Sequence, residues 1–145
     1  MMRVLVAADR GASSGKVIEF GAQLAARTGG SVQVLHVISN EEREAREQVP
    51  GQSRYVDVMM EEAKRDFAAK LQTLNIPDAD DAVSIRVGDA IAEIEKALGE
   101  IDHDILVVGM RRRSRVGKFL LGSKVQELLL ASERPVVAVP TDALV

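Results

Sequence analysis

The 145-residue sequence contains no cysteine. Disulfides, thiolate metal sites and cysteine nucleophiles are therefore excluded, and the chain fits a reducing compartment. Aromatic residues are almost as scarce, with no tryptophan, one tyrosine and three phenylalanines. So few aromatic faces offer no platform for stacked bases, and nucleic-acid binding is not expected. Long apolar runs are missing too. Val4 to Ala8 is far shorter than the hydrophobic region of a signal peptide, and no stretch approaches the ~20 residues of a membrane span. A cytoplasmic protein with no membrane association is the expectation. One segment lacks acidic residues altogether. Met110 to Gln126 holds six basic residues and no acidic one, leaving thirteen basic against twenty-two acidic residues elsewhere, a balance of −9. A positive island on an acidic body fits a small anionic ligand better than a long polyanion, which the body would repel.

What is present reads as an alternation of strands and helices. Hydrophobic content of 46% over this length sustains one core, so a single domain over 1–145 is expected. Arg3 to Ala8 is a β-branched apolar run ending at Asp9, read as a central strand buried on both faces. Asp9 to Ser14 is a turn in which Ser13 or Ser14 caps a helix. Val17, Phe20, Leu24 and Ala25 keep helical spacing until Gly29-Gly30. Ser31 to Ile38 is a second strand. Ser39 to Ser53 is polar and charged, with Pro50-Gly51 near its end; it reads as a mobile loop or a loosely held helix, and as the lid of the chain. Val56, Met59, Met60, Ala63, Phe67, Leu71 and Leu74 form one apolar helical face, closed by Pro77. Val83 to Val87 alternates as a strand. Asp89 caps a shorter helix through Ile91, Ile94, Ala97 and Leu98, ended by Gly99. Ile105 to Gly109 is a fourth strand, Ser123 to about Ser132 a helix, and Pro135 to Pro140 a fifth strand suited to a sheet edge.

The pattern βαβαβαβαβ predicts an α/β fold: a five-stranded parallel sheet with right-handed crossovers and helices on both faces. The expected order is 3-2-1-4-5. Ligands of such sheets bind beyond the strand C-termini where the winding reverses. Here that point lies between Ala8-Asp9 and Val108-Gly109. Topology and charge thus indicate the same crevice.

Each candidate residue there has a functional and a plain reading. Gly122-Ser123 opens a helix whose N-terminal N–H groups and dipole favour a phosphate; equally, Ser123 and Gln126 match a capping box. Of Arg111, Arg112 and Arg113, at most two would reach a phosphate, the rest forming a solvated surface. Asp9 accepts a hydrogen bond from an adenine amino group or a ribose hydroxyl, or else closes an Asx turn. Val37 offers backbone groups to a base edge. Arg10 to Val17 follows a strand and looks like a P-loop, but Arg10 replaces the first glycine and Val17 the hydroxyl residue that binds magnesium. His36 and His103 lack a nucleophile or ligand partner in the sequence and read as structural. Nothing has the spacing of a catalytic triad or a carboxylate–histidine metal site.

The stretch Gly109, position 112, Gly122-Ser123 keeps the spacing G-x2-G-x9-G-[ST]. Together with Val4-Leu5-Val6-Ala7-Ala8-Asp9 and Leu35-His36-Val37, it resembles the universal stress protein family over essentially the whole chain. The resemblance implies a Rossmann-like fold of the adenine nucleotide alpha hydrolase-like kind. It also implies a homodimer through the edge strand Pro135–Pro140, and ATP or AMP in the crevice, with magnesium only where ATP is bound. Ala8, Asp9 and Val37 would then meet the adenine and ribose. Val108, Gly109, Arg111, Gly122, Ser123 and Lys124 would line the ribose and phosphates. Arg112 stands where ATP-binding members have the second glycine; its side chain either obstructs a phosphate or replaces lost N–H contacts with charge. The resulting expectation is a stress-response sensor or regulator, not an enzyme. The alternatives are a dimeric interaction module that binds no nucleotide and a slow ATP hydrolase.

Overall fold

Near-continuous apolar runs become strands here because both sheet faces are covered. A computed structural model describes residues 1–11, 14–51, 55–111 and 122–141. In chain order the elements are β1 (Arg3–Ala7), α1 (Ser14–Thr28), β2 (Ser31–Ser39), α2 (Asn40–Glu47), α3 (Val56–Thr73), β3 (Val83–Gly88), α4 (Ala90–Glu100), β4 (Ile105–Met110), α5 (Ser123–Ala131) and β5 (Val136–Pro140). All strand pairings are parallel and the order is β3-β2-β1-β4-β5, as expected. In register, Ala7 stands between Leu35 of β2 and Val108 of β4.

Alternation along each strand splits the core into two layers. Val4 and Val6 of β1 and Val107 of β4 face α1 and α3, packing with Ile18, Phe67 and Leu71. Leu5, Leu35, Leu106 and Val108 face the other way, against Ala97 of α4 and Leu128 of α5. Burying one such large side chain stabilises the fold by roughly 1.5–3 kcal/mol. The α1 helix lies so close to β1 that a Cβ on Gly21 would come within 2.4 Å of the Val6 Cγ2 atom. At the N-terminal end of the sheet, Asp104 binds Arg3 three ways. Its Oδ2 accepts from the Arg3 N–H at 2.7 Å and from Nε at 3.2 Å, and its Oδ1 from Nη2 at 3.1 Å. The guanidinium bonds and the backbone bond hold the Asp104 carboxyl down at about 2.

Of the two readings of the polar stretch after β2, loop or loosely held helix, the structure has a helix, α2, so two helices separate β2 from β3. Two expectations change. Gly99 does not end α4, which runs on to Glu100 with Ile101 as its C-cap. The cap of α5 falls on Gly122, with Ser123 already inside the helix, so Ser123 does not act as the cap residue of a capping box. Asp89 does cap α4, accepting from the Ala92 N–H at 3.0 Å. Ser13 and Arg112, together with the rest of the basic stretch up to position 121, lie outside the described residues.

Candidate functional site

β1 stops at Ala7 while β2 continues to Ser39 and β4 to Met110. That difference in length opens a cleft of about 480 Å³ at the C-terminal end of the sheet, beside the winding reversal. Of the ten candidate residues, Ala8, Asp9, Val37, Val108, Gly109 and Lys124 line it. Arg111, Gly122 and Ser123 are exposed and are not among its lining residues. Arg111 and Gly122 flank the undescribed stretch that holds Arg112.

The apolar part of the cleft is formed by Ala8, Val37, Ile91, Ile94, Val108 and Leu128. Strand geometry orients one backbone group there. Leu35 turns its carbonyl toward β1, accepting from the Ala8 N–H at 2.9 Å. Two residues on, Val37 presents its N–H and C=O on that same side, where β1 has ended. Asp9 closes an Asx turn, its Oδ1 accepting from the Gly11 N–H at 2.9 Å. The plain reading of Asp9 is thus realised, and its other carboxylate oxygen is not engaged in that bond.

The two glycines differ in what they do. A Cβ on Gly109 would press on Val17 Cγ2 at 3.1 Å and Thr141 Cγ2 at 3.2 Å, so packing alone accounts for a glycine there. A Cβ on Gly122 would meet no described atom within 4 Å, and its φ of −61° suits any residue.

The wall opposite β4 is charged, and its residues were not read from sequence as a site. Arg10 pairs with Asp66 of α3 and stands 3.9 Å from Glu42 Oε1. Glu42 also faces His36, with Oε2 at 3.3 Å from Nε2. His36 Nδ1 lies 2.7 Å from the Ala8 carbonyl oxygen, and its ring meets Phe67 at 5.0 Å between centroids. The hydrogen bond with His36 lowers the Glu42 carboxyl below the usual carboxylate range, with burial opposing and Arg10 and Arg46 assisting. Ser14 is buried at the start of α1 and accepts a 2.7 Å hydrogen bond from Lys70 Nζ. His103 is also buried, its Nδ1 2.7 Å from the Ile101 carbonyl oxygen, and stands away from the cleft. Among the described residues, no three His, Cys, Asp or Glu side chains converge to hold a metal ion.

A doubly wound parallel sheet with a part-apolar, part-charged cleft at its winding reversal defines the architecture of an α/β protein with a crevice at its switch point. The sequence model of the universal stress protein family matches residues 1–140. The chain belongs to that family. A universal stress protein of Mycolicibacterium smegmatis is 49% identical over 51 residues, which are 35% of this chain and 39% of that relative's length. The structure of hypothetical protein MJ0577 superposes with a TM-score of 0.72 at 21% identity, covering 99% of this chain and 98% of that one. The universal stress protein of Archaeoglobus fulgidus in complex with dAMP superposes with a TM-score of 0.59 at 21% identity, over 96% of this chain and 98% of that one. These likenesses establish the shared fold. Among the described residues, no helix is long and apolar enough to cross a membrane.

Proposed function

We propose that this universal stress protein binds an adenine nucleotide, ATP or AMP, in the cleft between β1 and β4 and acts as a nucleotide-responsive regulator in the cytoplasm. The observation that carries the reading is the orientation of Val37. Its N–H and C=O stand beyond the end of β1, above an apolar floor, as a donor–acceptor pair for the edge of a purine. The Archaeoglobus relative solved with dAMP supports adenine as the base. Asp9, at the cleft mouth, takes a ribose hydroxyl or the adenine amino group. Gly109, Gly122, Ser123 and Lys124 face the ribose and phosphates, with Arg111 and Arg112 keeping the field positive. Among the described residues nothing packs where a Gly122 side chain would stand, which suits close backbone approach by a phosphate. Magnesium would arrive only with ATP. The reading is binding without hydrolysis.

Thermal unfolding tests this. A nucleotide present at a hundred times its Kd stabilises the native state by about 2.7 kcal/mol. Millimolar AMP or ATP should raise the melting temperature of the wild type and raise it much less in Gly122→Ala, whose melting temperature without nucleotide stays close to wild type. No shift with either nucleotide would refute the reading.

The same proposal includes a homodimer through β5. This edge strand leaves four of its five residues partly exposed, and the neighbouring α5 exposes Leu129 at 40% and Leu130 at 89%. Sedimentation should show a dimer that Val137→Lys dissociates.

A further inference from the structure

Both ring nitrogens of His36 face acceptors. The Ala8 carbonyl oxygen, 2.7 Å from Nδ1, only accepts, so Nδ1 carries a hydrogen. An ionised Glu42 carboxylate also only accepts, and its Oε2 stands 3.3 Å from Nε2. The contact is a hydrogen bond only when a proton lies between them. The contact with His36 itself lowers the Glu42 carboxyl, with Arg10 and Arg46 assisting, so the proton of this contact is assigned to His36. Remove it and a lone pair confronts a carboxylate.

The consequence depends on what else holds α2. This helix has no buried residue. Eight residues do not form a stable helix on their own in water. Ser39 caps it, accepting from the Glu42 N–H at 3.1 Å, and Glu41 and Glu42 suit the positive end of its dipole. Among the described residues its further fastenings are ionic: Glu42 with His36 and Arg10, and Arg46 with Glu62 of α3. Arg46 Nε is buried without a hydrogen-bond partner among the described residues. Ser39, the cap of this helix, and Glu42 in its first turn both line the cleft, so the N-terminal end of α2 borders it.

We infer that α2 is a proton-dependent latch: it closes over the cleft while His36 carries a proton on both ring nitrogens, and it releases when Nε2 gives its proton to water. Among the described residues, the elements about His36 carry these charged groups. Glu42 and Arg46 come from α2, Arg10 and Asp9 from the turn after β1, and Glu62, Asp66 and Lys70 from α3, where Lys70 lies 5.2 Å from the Phe67 ring centroid. On β3 the register partner of Val37 is Arg86, whose guanidinium is bound to Glu100 of α4 at 2.6 Å. The groups nearest the imidazole are thus the Glu42 carboxylate and the cations that keep it ionised.

The inference rests on the nucleotide reading for its consequence but not for its test. Hydrogen exchange of the α2 amides in the nucleotide-free protein, corrected for intrinsic rates, is measured between pH 6 and pH 8.5. One linked proton changes the opening equilibrium by up to about tenfold per pH unit. Wild-type protection should fall across that range. In Glu42→Gln the amide can donate to a neutral Nε2, and protection should stay level. Equal pH dependence in the two proteins, or none in the wild type, would overturn the latch. AMP affinity read between pH 7 and pH 9, above the second phosphate pKa near 6, should weaken with pH in the wild type and not in Glu42→Gln. Should AMP fail to bind at every pH, the nucleotide reading falls and the exchange data alone decide the latch.

Discussion

α2 and α3 follow one another in the chain and both are rich in charge, yet different forces hold them. α3 buries Met59, Ala63, Phe67, Ala68 and Leu71 against the sheet. α2 buries nothing and is fastened by a cap and a few ionic contacts. Apolar burial is insensitive to pH and expensive to undo. Ion pairs at a surface contribute little and depend on protonation. The difference separates scaffold from moving part: α3 fixes the shape of the domain, and α2 borders the cleft at its N-terminal end without being needed for the core.

Breaking α3 should have the largest effect. Phe67 is 1% exposed, and Phe67→Ala should cost about 3–5 kcal/mol in urea denaturation. A loss under about 1 kcal/mol would mean that α3 is no more part of the core than α2.

Acid unfolding sharpens the comparison with an ion pair outside the latch. Asp104 is held down at about 2 by Arg3. A depressed carboxyl contributes stability that is present above its unfolded value, near 4, and is lost as pH falls toward 2. Asp104→Asn should therefore be less stable than wild type at pH 7 and lose stability less steeply between pH 4 and pH 2. Identical acid profiles would show that this fork at the N-terminal end of the sheet contributes nothing.

Cutting α2 should have the smallest effect on global stability. Arg46→Ala removes the contact with Glu62 and should leave the urea midpoint nearly unchanged while α2 amides exchange faster. A cooperative loss of the whole fold would place α2 in the scaffold after all.

The sheet was legible because parallel strands covered on both faces read as unbroken apolar runs, as in Val4 to Ala8 and Ile105 to Val108. The α3 face was legible from its spacing of three and four. α2 stayed ambiguous between loop and helix because Asn40 to Glu47 has one apolar residue, Ala45, and hence no periodicity to read. Ala8, Asp9, Val37, Val108 and Gly109 could be placed from strand ends and topology alone. His36 could not. The partners of its two ring nitrogens lie 28 residues back at Ala8 and six residues on at Glu42, and the pattern of β2 shows only an apolar strand with one histidine in it. Arg10 was visible as a departure from a P-loop, but its pairing with Asp66, 56 residues away, is a product of the fold. The position of Arg112 lies outside the described residues, so its two readings stand as they did in the sequence.

The most direct test of the account is isothermal titration of AMP into the wild-type protein after removal of carried-over ligand, near pH 6.5. The expected result is a saturable isotherm with one nucleotide per chain, weakened about tenfold in Lys124→Ala, a loss of about 1.4 kcal/mol. No heat at millimolar AMP, followed by none with ATP, would contradict the central claim that the cleft between β1 and β4 is an adenine-nucleotide site.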